Sequence, residues 1–550
     1  MVKQLRLTIT LVLLAVAIVF LLASCGEQTT TTTAAPTTQP GETTTTTETA
    51  VSDTLTIAVS ADPGSLDQDF VAFDLVALAL HKNIYPYMVD YGVTTVDGAE
   101  IHDTTNVIPV YAESFETIDD GKTWILKIRE GITFPSGNEL TAEDVKWSKD
   151  RAFAAQANVA GVYRVIGLNE PEQIEIIDEY TVQFTQDAPS ALTELIQVIG
   201  LYVFDSEEMK KHATEADPWA QEWATLNATS GGAFNVVSWQ RGSELVLEAN
   251  EVYPLGKPYF DTVRMNIVPA PATRRLMLER GDVDIAFDLT RKDLEDLKGN
   301  PDLKVISVPS SQMTQIFLDV TSSPLDNNLV RQAIAYAVPY EQVISVVYGG
   351  DARLVKSPVP LDMPGYSPLG HPYEYDLDKA KELLEEAGLG GGFSTSLAIE
   401  TDNEEQERIA ILLQSELRKV GIELEIEVLD PATFVDRRAK KTIPMQIGSA
   451  ALWINDVQYM LEIEWTTGAF LNYANYSNPR VDEIAAELRE TVDPDARMAL
   501  AKEIQEEIFA NDVPTIPLAQ PNFNLAMRQD IEGWTQPVDL LFRLEYLRRG

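Results

Sequence analysis

The sequence predicts an α/β fold built from two or more lobes, and three observations predict it. Apolar periods of two and of 3.6 residues interleave along the chain, which gives mixed helix and strand rather than either alone. The 550 residues exceed one ordinary domain, and a 45% hydrophobic content is enough for a large core.

The chain opens on a segment unlike the rest. Lys3 and Arg6 precede an uncharged run from Leu7 to Leu22, and the first acidic residue is Glu27. A basic start followed by a short apolar run is the pattern of an export signal, here over residues 1–24, and the run is shorter than the ~20 residues of a spanning helix. Leu22-Ala23-Ser24-Cys25 resembles a bacterial lipobox, which makes Cys25 the expected lipidated N-terminus and holds the mature protein at a membrane. Cys25 is the only cysteine, so the fold has no internal disulfide. Residues 25–50 read as a flexible linker, because 13 of the 21 residues from Thr29 to Thr49 are threonine and no apolar period runs through them.

The folded part begins near Val51. Leu55, Ile57 and Val59 alternate with polar or small residues as in a half-buried strand, and Asp62-Pro63-Gly64 ends it. Trp124, Leu126 and Ile128 predict a second strand, and Val263, Met265 and Ile267 a third. Val330, Ala333, Ile334 and Ala337 share one helical face. Ala380, Leu383, Leu384 and Ala387 repeat that spacing, with Asp376 as the cap and Gly388 as the stop. Ile409, Leu412, Leu413, Leu417 and Val420 form a further helix stopping at Gly421. From there Ile422, Leu424, Ile426 and Val428 alternate with Glu423, Glu425 and Glu427, a strand with one wet face. Gly390-Gly391-Gly392 reads as a loop.

Several ordered segments carry a resemblance. They are Asp119-Asp120-Gly121-Lys122-Thr123-Trp124 leading into Ile128 to Phe134, Leu140 to Val145, Gly232-Ala233-Phe234 with Trp239, Leu278 to Asp284, Val330 to Ile334, Asp376 to Leu384, Tyr476 to Asp482, and Pro514-Thr515-Ile516-Pro517. From about Thr54 to Trp534 the chain resembles the dipeptide, oligopeptide and nickel group (family 5) of extracellular solute-binding proteins that serve ATP-driven importers. The resemblance implies a two-lobed periplasmic-binding-protein fold, large, with an inserted subdomain, working as a hinged clamp. The first lobe is then expected at 51–85, 205–308 and 518–550, the insert at 86–204 and the second lobe at 309–517. It also implies capture of a peptide-like solute between the lobes and delivery to membrane permease subunits, from an exported chain lipid-anchored on the outer face of the cytoplasmic membrane, in the periplasm or at the cell surface. A monomer is the expected state.

The resemblance also points to site residues. Trp453-Ile454-Asn455-Asp456 matches a Trp-x-x-Asp segment that, in peptide-binding members, sets a carboxylate on the ligand's terminal ammonium, so Trp453, Asn455 and Asp456 are candidates. Val457-Gln458-Tyr459 then departs from the acidic, aromatic and proline residues usual there, and Tyr459 joins the candidates. Ser65, Leu66 and Asp67 occupy the early cleft loop, and Gln520 follows the Pro514 to Pro517 segment. A cap or turn role is the competing reading for Asp456 and Asp67. The aromatic run of Trp453, Tyr459, Trp465, Phe470, Tyr473 and Tyr476 supports a second ligand class, an oligosaccharide stacked on ring faces, against ordinary core packing.

Other functions fare less well. With 85 acidic and 42 basic residues the formal net charge is -43, a field that repels nucleic acid. No His-Glu-x-x-His, Gly-x-Ser-x-Gly or Walker signature is present, so no enzyme is expected. His81, His102, His212 and His371 lack metal-ligand spacing and read as surface or cap residues, with neither metal nor cofactor implied. A secreted glycosidase is the alternative of another class, since acidic pairs abound.

Overall fold

A mixed sheet of twelve strands runs through the protein. The computed structural model describes residues 53–550 apart from 72, 73, 97, 98, 402, 451 and 452. The export signal over 1–24, Cys25 and the linker over 25–50 lie outside the described residues.

One half of the sheet holds the first predicted strand. Thr54–Val59 pairs parallel with Thr262–Ile267 and with Ile285–Ala286, and Thr262–Ile267 continues antiparallel into Glu244–Ala249 and Phe234–Gln240. Alternation puts Leu55, Ile57 and Val59 into the largest core, while Ala58 faces Leu278 and Leu294 on the other side. The strand is apolar on the core side, while Thr56 on the other face bonds Asp284 through its amide and hydroxyl at 2.8 Å each.

The other half is Met313–Leu318, Met445–Ala450, Phe393–Glu400 and Ile422–Leu429 in that order. Ile422–Leu429 is the edge; Glu423 and Glu425 face water as expected, whereas at its far end Glu427 is half-buried beside Arg437 and Val428 is exposed. Helix Asn328–Tyr336 buries Val330, Ala333 and Ile334. Helix Leu377–Glu386 buries Ala380, Leu383 and Leu384, with the Asp376 carboxylate accepting from the Asp378 and Lys379 amides at 3.0 and 2.9 Å. Helix Glu404–Lys419 ends just before Gly421. Gly392 and Gly421 head the two neighbouring parallel strands at φ 81° and 89°, and a Cβ on Gly392 would lie 2.2 Å from the Gly421 carbonyl oxygen. The glycine run is a loop whose last member must be glycine.

The two halves are joined by one fourteen-residue strand, Thr515–Arg528. Its first part pairs with Met313–Leu318, with Phe317 opposite Thr515 and Thr314 opposite Ala519. Its last part pairs with Leu303–Pro309, from Pro309 opposite Asn522 to Leu303 opposite Arg528. The chain therefore crosses between lobes twice, at 309–313 and at 519–522, side by side. Between the first lobe's outer elements lies a second body of structure, a hairpin of Val89–Val96 with Ala99–Pro109 and a four-stranded antiparallel sheet. Its helix Ala142–Ala154 starts in a capping box of Thr141 and Asp144.

The histidine expectation is corrected. His81, His102 and His371 are buried, and only His212 is partly exposed. Burial holds His81 and His371 near 3 and His102 near 4, so each is a neutral, packed imidazole. A neutral ring fills core volume among aromatic neighbours, as His81 does against Tyr85 and His371 against Tyr373, without burying a charge.

Candidate functional site

The early loop that the sequence singles out is rigid. Ser65 Oγ accepts from the Asp67 amide at 2.9 Å, and Asp67 caps the short turn Gln68–Phe70 through the Asp69 amide. Asp67 and Asp69 both clamp Arg151, which rises from helix Ala142–Ala154; Asp67 does so through two hydrogen bonds of 2.9 and 2.6 Å. Burial pushes the Asp67 carboxyl up to about 6 against the pull of Arg151, because one guanidinium is shared between two carboxylates. Leu66 is core: its amide donates to Thr225 and its carbonyl accepts from Tyr85 Oη. Asp67 and Leu66 thus hold the loop, and both are committed to protein partners.

The next residue carries a different signal. Gln68 is buried, and its Oε1 has no hydrogen-bond partner among the described residues. It lines a cavity of about 50 Å³. Val71, Leu78 and Leu541 line it with Gln68; Tyr87 and Tyr202 come from a pair of bridged segments, Asn158, Val159 and Val162 from helix Asn158–Arg164, Ile199 from helix Thr193–Gly200, and Trp453 from the segment after strand Met445–Ala450. The Tyr202 hydroxyl is taken by Asp69, and Lys82 sits 3.8 Å above the Tyr87 ring, so both rings present apolar surface. The chamber is a largely apolar, aromatic-walled space between lobes, with Gln68 Oε1 an uncommitted buried acceptor on its wall.

Asp456, three residues past Trp453, caps helix Val457–Met460 by accepting from the Gln458 amide at 2.7 Å, and it takes Arg497 Nη2 at 2.6 Å. Both bonds fall on Oδ1, and Oδ2 accepts none among the described residues. The capping reading and an open carboxylate oxygen therefore coexist. Asn455 Nδ2 reaches the Asp362 carbonyl at 3.4 Å. Gln520 is fully buried at the crossing, donating to the Ser310 carbonyl at 2.5 Å and to Asp362 Oδ2 at 3.1 Å and accepting from the Leu361 amide at 2.9 Å. Tyr459 is core, its phenol raised by burial. Of the aromatic run, Trp453 alone lines the chamber. Trp465 and Tyr476 are buried with Phe317 and Phe509, and Phe470 is 67% exposed.

The structure brings together Trp453 and the end of the early loop, and it keeps Gln520 at the hinge. Sequence reasoning stopped one residue short of Gln68 and missed Tyr87 and Tyr202. Position beside Asp67 was the available signal for Gln68; the tyrosines come from separate elements and carried none.

Two α/β halves joined by paired crossing strands around an apolar chamber define a solute-binding protein of the hinged-clamp class. The chain belongs to the bacterial extracellular solute-binding proteins, family 5: the model described as "family 5 Middle" matches residues 106–472. It is similar to the probable D,D-dipeptide-binding periplasmic protein DdpA of Escherichia coli (strain K12), 30% identical over 491 residues, which cover 88% of this chain and 91% of that one. The glutathione-binding protein GsiB of Pectobacterium atrosepticum is 27% identical over 80% of this chain and 85% of its own. Among solved structures, the periplasmic binding protein DppA of Helicobacter pylori in complex with the peptide STSA is 25% identical and superimposes with a TM-score of 0.79, over 90% of this chain and 98% of that chain.

Proposed function

We propose that this chain is the solute-binding lipoprotein of an ABC importer, capturing a small peptide between its lobes and presenting the closed form to membrane permease subunits, with no chemistry of its own. The observation that supports the peptide reading is the open oxygen of Gln68, Oε1, in the interlobe chamber, with a second open oxygen, Asp456 Oδ2, close in the chain to the chamber residue Trp453. Amide N–H groups and a terminal ammonium suit such acceptors, and the relatives named above are a probable D,D-dipeptide-binding protein, a glutathione-binding protein and a protein in complex with the peptide STSA. Arg497 holds the Asp456 carboxylate in place by its other oxygen, so a ligand ammonium completes the pair rather than displacing it. The early loop, anchored by Asp67 and Ser65, positions Gln68. Lobes at 51–85, 205–308 and 518–550 and at 309–517, with the insert at 86–204, close about the two crossings. Cys25 carries the lipid, residues 25–50 are the tether, and the protein acts as a monomer at the outer face of the cytoplasmic membrane.

Calorimetric titration of the purified protein with di- to tetrapeptides tests this. Wild type binds, and Asp456→Asn and Gln68→Ala each weaken binding by about 10- to 100-fold, the loss of a charge-assisted or buried hydrogen bond. Binding of oligosaccharides with indifference to peptides overturns the peptide reading, and cleavage of an oligosaccharide overturns the binding-only reading.

A further inference from the structure

A second cavity lies apart from the chamber between the lobes. A pocket of about 360 Å³ opens between Pro339–Gln342, Leu354–Lys356 and the 371–375 segment, and none of its lining residues lines the chamber. The size is that of a small-molecule site.

Its inner end is built around His371, 2% exposed. His371 Nε2 lies 2.7 Å from Tyr340 Oη, and that hydroxyl spends its single proton on the Ala335 carbonyl at 2.8 Å. Tyr340 therefore accepts from His371 Nε2–H, which fixes the tautomer and leaves Nδ1 with its lone pair. Nδ1 has no hydrogen-bond partner among the described residues, on a ring that lines the pocket. Val355, Tyr340 and Tyr373 give an apolar and aromatic floor, and the Tyr373 hydroxyl is turned away to the Ala510 carbonyl at 2.7 Å. The exposed rim carries Glu341 and Glu374 against Lys356, which pairs with Glu374 at 3.2 Å, so the mouth is acidic by one charge. An acceptor nitrogen that cannot donate on a ring lining the pocket, aromatic walls and an acidic mouth together select a hydrogen-bond donor with positive charge on an apolar body.

We propose that this pocket is a second ligand site, for a small organic amine whose ammonium donates to His371 Nδ1 and whose apolar body lies against Tyr340, Tyr373 and Val355.

Titration of the full chain with phenethylamine, followed by saturation-transfer NMR and calorimetry, tests it. Phenethylamine is expected to bind saturably with one site per chain, while 3-phenylpropionate, of similar shape and opposite charge, binds at least about tenfold more weakly, the scale of one charged hydrogen bond. A peptide that occupies the interlobe site leaves amine binding unchanged. His371→Phe, which keeps an aromatic ring and removes Nδ1, abolishes saturation. The double rim variant Glu341→Lys with Glu374→Lys changes only exposed residues and weakens the amine about tenfold or more, so it tests the site even where His371→Phe misfolds. Absence of saturable amine binding, equal binding of amine and carboxylate, or displacement of the amine by the peptide overturns the proposal. Failure of peptides to bind, with amine binding intact, bears on the interlobe reading alone.

Discussion

Glu464 is the residue with the plainest solution consequence. It lies in the wide helical turn Leu461–Trp465, is buried, and its Oε2 has no hydrogen-bond partner among the described residues. Other buried polar atoms of the same region, both amide atoms of Gln446 and Trp465 Nε1, have no hydrogen-bond partner among the described residues. Gln315 and Gln446 share a face of their strand pair with Phe317, which stacks on Trp465. Burial pushes the Glu464 carboxyl up to about 8, with Arg438 and the Gln315 amide pulling it down. The native state therefore keeps this proton up to about pH 8, while the unfolded chain releases it near 4.5. Between those values stability falls as pH rises, by up to about 1.4 kcal/mol per pH unit from this one group. Glu464→Gln lacks that term, so melting curves from pH 5 to 9 should show the variant gaining on wild type up to about pH 8 and levelling beyond. A constant difference across the range contradicts the assignment. None of this was legible in the sequence, where Glu464 is one of 85 acidic residues. Asp67 and Asp456 were legible as functional or capping residues, yet which oxygen each commits is decided by Arg151 and Arg497, which lie 84 and 41 residues away in the chain.

At the scale of elements, the sequence was most legible where a strict period met a cap or a glycine. Leu377–Glu386, with Asp376 before it and Gly388 after, and Ile422–Leu429, with its alternating glutamates, lie within a residue or two of expectation. Legibility failed where an element is short or wide-wound. The π-turns at Val343–Val347, Leu461–Trp465 and Glu503–Phe509 keep an apolar pattern close to that of an α-helix. The glycine run at 390–392 illustrates both outcomes. Gly392→Ala is expected to cost at least about 1–3 kcal/mol, because φ 81° and the 2.2 Å approach to Gly421 oppose any side chain. Gly391, with nothing within 4 Å of a built Cβ, should accept alanine within about 0.5 kcal/mol. Chemical denaturation of the two variants makes the comparison, and equal losses would refute the close-approach argument.

For the whole molecule, the dominant physical quantity is charge. A net -43 spread over one chain repels itself, and ions at physiological strength screen that repulsion beyond about 8 Å. The melting temperature should rise as sodium chloride goes from about 10 to 150 mM, most steeply at the low end. A fall instead would mean that surface ion pairs such as Arg480 with Glu487 and Glu503 outweigh the net field. The two-lobed class was legible through ordered local segments, whereas the chamber was not, since its walls are assembled from residues between Gln68 and Leu541. The shared strand Thr515–Arg528 adds a consequence for biogenesis. It supplies the middle of the sheet to both halves and is made after almost everything it pairs with, so until the last tenth of the chain emerges Met313–Leu318 and Leu303–Pro309 are open edges. Such long-range pairing is slow, and a chain cut short before Thr515 would present both edges to other chains at once, which makes premature termination an aggregation hazard rather than a source of one working lobe.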